Sequence, residues 1–110
     1  MASDGSAMTE DILIHRGTTL VRRMRLAPGE KMPWHRDPHH RITVVLSGDA
    51  LGIEFRDDGK IQHISIKPGQ VDWDEPTHRM HRGINLGVQP YEEITVFLLD
   101  RPDAEPQPQD

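Results

Sequence analysis

Turn sequences divide this chain into short β segments, and no window of it shows a sustained apolar repeat of 3.6 residues. Pro-Gly, Ser-Gly-Asp and Asp-Asp-Gly sequences separate the segments, and these residues favour tight turns. The predicted strands are Thr18–Leu26, Ile42–Leu46, Leu51–Phe55, Ile61–Ile66, Val71–Trp73, Arg79–Ile84 and Glu92–Leu99. Short strands with regularly spaced turns are typical of a sandwich or barrel, so we predict an all-β fold.

The length of 110 residues leaves room for one domain. The first and last ten residues contain few large apolar side chains, although they carry Pro, Ser and acidic groups. Such segments bury too little surface to offset the entropy lost on ordering. We therefore expect flexible tails at residues 1–10 and 101–110, with the barrel spanning residues 11–100.

Charge and composition exclude several classes of partner. A formal charge of −5 argues against nucleic acid, since a phosphate-backbone binder normally presents a basic face. Arg22, Arg23 and Arg25 form a short basic run, which we interpret as the solvated face of a strand. No apolar run approaches the roughly 20 residues of a membrane span, and no signal peptide is evident. We expect a cytoplasmic protein with no membrane partner. Without cysteine, disulfides and thiolate metal ligands are impossible.

Histidine is abundant: six of the seven histidines lie between His35 and His81. Imidazole is a ligand for zinc, iron, nickel and copper. On an extended strand, residues two apart face the same way, so His35 and Asp37 can direct ligands to one point. His81 is the natural source of a third ligand.

The spacing around these histidines resembles the two motifs of the cupin family. The first motif matches at Gly29, five residues, His35, one residue, Asp37, three residues, Arg41, six residues and Gly48. The second matches at Gly69, six residues, Pro76, one residue, His78, two residues, His81, three residues and Asn85. The resemblance spans Leu20 to Leu99. It implies a double-stranded β-helix, or jelly-roll barrel, commonly holding a metal and often dimeric.

Three positions depart from the family pattern. Asp37 stands where the second histidine is usual, Arg41 stands where glutamate is usual, and His78 replaces a turn glycine. Arginine has no lone pair for a metal. The resemblance therefore leaves His35, Asp37 and His81 as ligands of one divalent transition metal. Two histidines and one carboxylate favour Fe(II), while Zn or Ni also suit imidazole.

Two alternatives stay open at this point. His39 or His40 would replace Asp37 in a three-histidine set if Pro38 turned the strand. A metal-free barrel would instead use His35 and His81 as hydrogen-bonding groups, and a cation at Arg41 favours that alternative.

The resemblance implies two functions for a small-molecule site. In the first, a metal-dependent dioxygenase or isomerase acts on a small acidic molecule, with Arg41 pairing with the substrate. In the second, a non-catalytic and possibly metal-free cupin binds or senses a small anion. We expect four further residues to lie around the pocket: His78, Trp34, Trp73 and Met80. We also expect a homodimer formed by pairing of an edge strand, either Thr18–Leu26 or Glu92–Leu99.

Overall fold

Nine β-strands and no helix make up residues 7–99, the part of the chain that the computed structural model describes. The all-β prediction is confirmed. The strands are β1 (Thr9–Arg16), β2 (Thr19–Leu26), β3 (His35–Asp37), β4 (His40–Ser47), β5 (Ala50–Phe55), β6 (Ile61–Ser65), β7 (Val71–Asp74), β8 (Thr77–Asn85) and β9 (Tyr91–Leu98).

The strands form two antiparallel sheets whose inner faces enclose the core. One sheet has the strand order β1-β2-β9-β4-β7, and the other has the order β3-β8-β5-β6. The buried apolar cluster takes side chains from both: Met24, Leu26, Met32, Val45, Leu51 and Tyr91. Burial of these groups is the main stabilising contribution to the barrel.

Two turns of the same design close corresponding corners of the barrel. In each turn a Pro-Gly pair occupies the centre, with Gly29 at φ 84° and Gly69 at φ 88°. The amide of the following residue donates to the carbonyl before the proline, from Glu30 to Ala27 at 2.9 Å and from Gln70 to Lys67 at 3.1 Å. A positive φ at the second central residue defines a type II turn, which glycine adopts without strain.

The first strand lies partly in the segment expected to be a flexible tail. Strand β1 begins at Thr9, because its backbone pairs with β2 from Thr9 opposite Arg25 to Arg16 opposite Thr19. Sequence reasoning missed this strand. The rest of the two expected tails, residues 1–6 and 101–110, lies outside the described residues.

Both strands that we expected at a free edge lie inside the five-stranded sheet. Strand β2 sits between β1 and β9, and β9 sits between β2 and β4. Their hydrogen-bonding edges are therefore already occupied, and the prediction of dimerisation through either edge is wrong. The open edges of this sheet belong to β1 and β7.

Within residues 7–99, no helix is long and apolar enough to cross a membrane.

Candidate metal centre

The pairing of β3 with β8 brings the two predicted histidine ligands together. His35 lies directly opposite His81, and Asp37 lies opposite Thr77, so the register shifts between the two pairs. Side chains on neighbouring strands at paired positions point to the same face of a sheet. His35, Asp37 and His81 therefore all point toward the interior of the barrel.

The ligand atoms of these three residues converge. One atom from each of His35, Asp37 and His81 lies within 4.8 Å of the others. Among the described residues this is the one such group of three, so neither His39 nor His40 joins it. Nε2 of His81 is 2.8 Å from Oδ2 of Asp37, and Nε2 of His35 is 3.5 Å from the same oxygen.

Backbone carbonyls fix the tautomer of both rings. Nδ1 of His35 is 2.7 Å from the carbonyl oxygen of Pro33, and Nδ1 of His81 is 2.7 Å from that of Arg79. A carbonyl oxygen can only accept, so each Nδ1 carries the proton. In its neutral form each Nε2 then presents a lone pair to the Asp37 carboxylate. A proton or a metal cation is needed between each lone pair and the negative carboxylate, because the two would otherwise repel each other. Histidine metal ligands are commonly oriented by the same kind of bond from the other ring nitrogen to a carbonyl.

The titration of the cluster reflects the same contacts. Burial alone would raise the pKa of Asp37, but hydrogen bonds from His35 and His81 and the charge of Arg41 outweigh it and hold the pKa well below its usual range. Burial would lower the pKa of His35, yet hydrogen bonds to Asp37 and to the Pro33 carbonyl raise it above its ordinary value.

Arg41 bonds the same carboxylate oxygen of Asp37 that faces the two histidines. Its Nη1 donates to Oδ2 of Asp37 at 3.0 Å, its Nη2 donates to the Glu75 carbonyl at 3.0 Å, and its Nε donates to the His39 carbonyl at 3.3 Å. Three of the five guanidinium N–H groups are thus used within the chain. The remaining two, one on Nη1 and one on Nη2, make no hydrogen bond within residues 7–99.

The three converging residues form one wall of a cavity of about 140 Å³ between the two sheets. This volume is well below the roughly 300–1,000 Å³ of pockets for drug-sized molecules. Its apolar lining includes Met24, Met32, Val45, Leu51, Ile53, Ile64 and Ile66. The cavity therefore suits a ligand of a few heavy atoms.

Sequence reasoning missed the polar wall that faces the cavity from the five-stranded sheet. Buried Glu93 accepts from Tyr91 Oη at 2.5 Å, from Arg22 Nη2 at 3.1 Å and from the Thr95 hydroxyl. Burial, followed by the charge of Glu93, raises the pKa of Tyr91, so the phenol keeps its proton. Nε of Arg22 is buried without a hydrogen-bond partner. The interpretation of Arg22 as a solvated side chain is wrong, because the strand turns it inward, opposite Thr95.

The charges on the lining do not balance. It carries four carboxylates, on Asp37, Asp72, Asp74 and Glu93, against two guanidinium groups, on Arg22 and Arg41. With neutral histidines the formal charge is negative by two. A divalent cation would neutralise it, because opposite charges attract.

Four residues expected around the pocket lie outside the cavity. Trp73 is 54% exposed on the outer face of β7, because its neighbours Asp72 and Asp74 face inward. Trp34 packs against the guanidinium of Arg82, whose carbon lies 4.1 Å from the ring centre.

Met80 and His78 also lie away from the cavity. On β8 they alternate with His81 and Gly83, which face the cavity, so their side chains point to the opposite face of the sheet. They line a shallow surface depression with Arg36 and Arg79. His40 was one of the alternative ligands. Its Nε2 lies 3.2 Å from Oε1 of Glu75, and its ring packs against the ring of Trp73. Nδ1 of His39, the other alternative, is buried without a hydrogen-bond partner.

The architecture is that of solved cupin structures. A cupin domain from Bordetella pertussis Tohama I superposes with a TM-score of 0.75 at 16% identity, covering 88% of this chain and 98% of that one. KdgF from Halomonas sp. superposes with a TM-score of 0.60 at 23% identity, covering 87% of this chain and 82% of that one. The polyketide cyclase RemF from Streptomyces resistomycificus superposes with a TM-score of 0.63 at 20% identity, covering 86% of this chain and 67% of that one.

Neither a protein-family model nor a curated protein sequence matches the chain. The structural likenesses establish the fold, a double-stranded β-helix of the small cupin kind, and leave the activity to the site itself.

Proposed function

We propose that this cupin is a metal-dependent enzyme that holds one divalent transition metal with His35, Asp37 and His81 and acts on a small organic acid. The observation that carries the proposal is the convergence of two imidazole nitrogens and one carboxylate within 4.8 Å. Each imidazole is already oriented by a carbonyl, so the ligand set needs little rearrangement.

The charge of the cavity supports a cation at this point. Four carboxylates and two guanidinium groups leave the lining formally negative, and an anion alone would add to that imbalance. In the alternative of a metal-free barrel that binds a small anion, protons on His35 and His81 would have to offset the two excess negative charges of the lining. A divalent metal offsets the excess charge without that requirement.

Two histidines and one carboxylate make a ligand set that suits Fe(II) and leaves coordination positions open. Zn or Ni is compatible with the same donors. A metal bound here would supply Lewis-acid polarisation of a substrate oxygen, which serves isomerase chemistry. Fe(II) would in addition supply the redox chemistry with O₂ that a dioxygenase needs.

The chain's own residues limit the substrate. Arg41 lines the cavity, and the second N–H groups of its Nη1 and Nη2 would pair with a carboxylate of the substrate. The opposite wall, with Glu93 held by Arg22, Thr95 and Tyr91, disfavours a second negative charge. We propose a monocarboxylate small enough for a cavity of about 140 Å³.

Arg41 has a second role in this proposal. Its bond to Oδ2 of Asp37 fixes the carboxylate, while its bonds to the Glu75 and His39 carbonyls fix the guanidinium itself. Arg41 is thus a positioning residue for the metal ligand as well as a candidate substrate contact.

Cobalt substitution tests the ligand set. Adding Co²⁺ to the protein prepared without metal is expected to give visible ligand-field absorption that saturates at one ion per chain. Asp37→Asn is expected to weaken Co²⁺ binding by at least roughly 10–100-fold, the loss typical of mutating a residue that only supports a ligand, because a neutral amide replaces a charged ligand.

Asp11→Asn is the matched control, since Asp11 is an exposed carboxylate on β1. Equal Co²⁺ binding by the wild type and by Asp37→Asn would contradict the carboxylate ligand. Absence of any saturable Co²⁺ spectrum, together with saturable binding of acetate to the metal-free protein, would support the anion-binding alternative.

A further inference from the structure

The depression at the outer surface of the four-stranded sheet gathers cationic side chains that the proposed function does not use. Arginine dominates its lining, which consists of Arg36, Arg56, Asp57, His78, Arg79 and Met80. The whole chain, in contrast, has a formal charge of −5. A cluster of arginines in a concave part of an acidic protein concentrates positive potential there and attracts anions.

Strand pairing places two of the arginines on either side of Met80. Strand β8, which carries Met80, lies between β3 and β5. Arg56 follows β5, and its backbone amide donates to the Met80 carbonyl at 3.0 Å. Arg36 lies between His35 and Asp37 on β3, and because those two side chains face the cavity, Arg36 points outward and is exposed. Adjacent strands are about 4.8 Å apart, so two residues flanking β8 are about 10 Å apart and their long side chains can meet above Met80.

Contacts within the chain orient both guanidinium groups. Nε of Arg36 donates to the His78 carbonyl at 3.0 Å. The guanidinium carbon of Arg56 lies 5.7 Å from the centre of the Trp34 ring, within the range of a cation–π contact. A side chain that is already oriented loses less conformational entropy when it binds a ligand. These two arginines are therefore better prepared to bind an anion than freely rotating surface arginines are.

The hydrogen-bonding capacity of Arg36 and Arg56 is mostly unused. Within residues 7–99, the Nη atoms of Arg36 donate to no acceptor, and the guanidinium group of Arg56 makes no hydrogen bond. The nearby carboxylates of Asp57 and Asp58 bond to Arg79 instead, at 2.8–3.5 Å. Two positive charges, on Arg36 and Arg56, are thus left without a carboxylate partner in the part of the chain that the structure describes.

Two such guanidinium groups match the charge and shape of a phosphate group. A phosphate monoester carries a charge of about −1.5 to −2 near neutral pH and presents three strong acceptor oxygens. Guanidinium groups bind phosphate through pairs of parallel N–H···O hydrogen bonds. A single carboxylate would leave one of the two positive charges unmatched. The apolar side chain of Met80 lies between the two arginines and offers a contact to the organic part of an ester.

We propose that Arg36 and Arg56, with His78 in the same depression, form a binding site for a phosphate group, either free or in a small ester. This site is separate from the candidate metal centre, because Met80 and His81 point to opposite faces of β8. The proposal therefore depends neither on a bound metal nor on the proposed enzymatic activity.

A phosphate titration followed by NMR tests the proposal. Inorganic phosphate is added at constant ionic strength to the isotope-labelled full chain. The resonances of Met80 and of the Trp34 indole are expected to shift and to saturate with a dissociation constant of about 1 mM or lower. Arg36→Gln and Arg56→Gln are each expected to raise this constant at least about tenfold, because each removes a charged donor.

Arg16→Gln is the matched control, since Arg16 is an exposed arginine on β1, far along the chain from the depression. It is expected to leave the dissociation constant unchanged. Circular dichroism establishes that each variant keeps the β fold. Arg36→Lys, which keeps the charge and loses the fork of N–H groups, is expected to bind phosphate more weakly than the wild type and more tightly than Arg36→Gln.

A second ligand distinguishes an ester from free phosphate. Phenyl phosphate is expected to bind more tightly than inorganic phosphate if the natural ligand is an ester whose organic part packs on Met80, and Met80→Ser is then expected to remove the difference. Equal affinity for the two ligands would identify free phosphate as the natural ligand of the same site.

Resonances that show no saturable shift up to about 20 mM phosphate would overturn the proposal. So would saturable binding that Arg36→Gln and Arg56→Gln both leave unchanged, since the phosphate then binds at another place. A loss of affinity in Arg16→Gln as large as in the other two variants would likewise contradict it, because the affinity would then reflect only the total charge of the chain.

Discussion

At the scale of single residues, the Asp37 carboxylate is the centre of the site. Oδ2 of Asp37 accepts a hydrogen bond from Arg41 and also faces the Nε2 atoms of His35 and His81. The Nδ1 protons are committed to carbonyls, so only a proton or a metal can occupy the space between the rings and the carboxylate. Protons and metal therefore compete for the same atoms.

This competition gives metal binding a pH dependence with a definite sign. The pKa of His35 is raised above 6.5, so its Nε2 becomes protonated as the pH falls through that raised value. The lowered pKa of Asp37 keeps the carboxylate ionised throughout this range. We expect metal affinity to be highest above the raised pKa and to fall about tenfold for each pH unit below it.

Co²⁺ titrations from about pH 8 to about pH 6 measure this dependence. In Asp37→Asn the carboxylate that raises the pKa of His35 is absent, so the loss of affinity is expected to begin at a lower pH. An affinity that is constant over the whole range would show that His35 is not a ligand.

Arg41 connects three groups, so its removal is expected to destabilise the metal-free protein. Arg41→Met removes the hydrogen bonds that Arg41 donates to the Asp37 carboxylate and to the Glu75 and His39 carbonyls. We expect the free energy of unfolding to fall by about 2 kcal/mol, since buried groups lose their partners. Urea unfolding measures the change, and Arg41→Lys, which keeps the charge, is expected to lose less. Equal stability of Arg41→Met and wild type would show that the contacts are dispensable.

At the scale of elements, strand β9 shows why alternation alone misleads. Its apolar residues Ile94 and Val96 face outward, while Glu93 and Thr95 face the cavity beside Tyr91. The rule that apolar side chains point inward would therefore predict the opposite orientation of the strand, with Ile94 and Val96 in the core. The strand keeps its observed orientation because Tyr91 packs in the core and Glu93 is satisfied by hydrogen bonds from Arg22, Thr95 and Tyr91.

Asn85, the last position of the second motif, ties three parts of the chain together. Its buried amide donates to the Leu26 carbonyl at the end of β2 at 3.0 Å and to the Gln89 carbonyl at 2.8 Å, and its oxygen accepts from Gly87 at 2.9 Å. Asn85→Ala is expected to lower the free energy of unfolding by about 2–3 kcal/mol. Val88→Ala in the same loop is expected to change it by less than about 0.5 kcal/mol. Similar midpoints for the two variants in thermal unfolding would contradict this role.

At the scale of the whole molecule, the sequence predicted the all-β class and the cupin architecture, because turn residues and motif spacing are local signals. It also selected His35, Asp37 and His81, which the structure places together. The contact between Arg22 and Glu93 could not be predicted from the sequence, because it depends on the register of β2 against β9. Strand β1 was missed because its three consecutive apolar residues, Ile12, Leu13 and Ile14, show no alternation of apolar and polar side chains. As an edge strand that pairs only with β2, it is exposed along its whole length.

The central claim, a metal held by two histidines and one carboxylate, is tested most directly by elemental analysis of protein purified without chelator, alongside His81→Ala. The exposed His63→Ala serves as the control. One transition metal per chain in the wild type and in His63→Ala, with loss in His81→Ala, is the predicted result. A wild type that holds no metal even after anaerobic loading with Fe(II) or Zn(II), or a His81→Ala variant that retains it fully, would contradict the account.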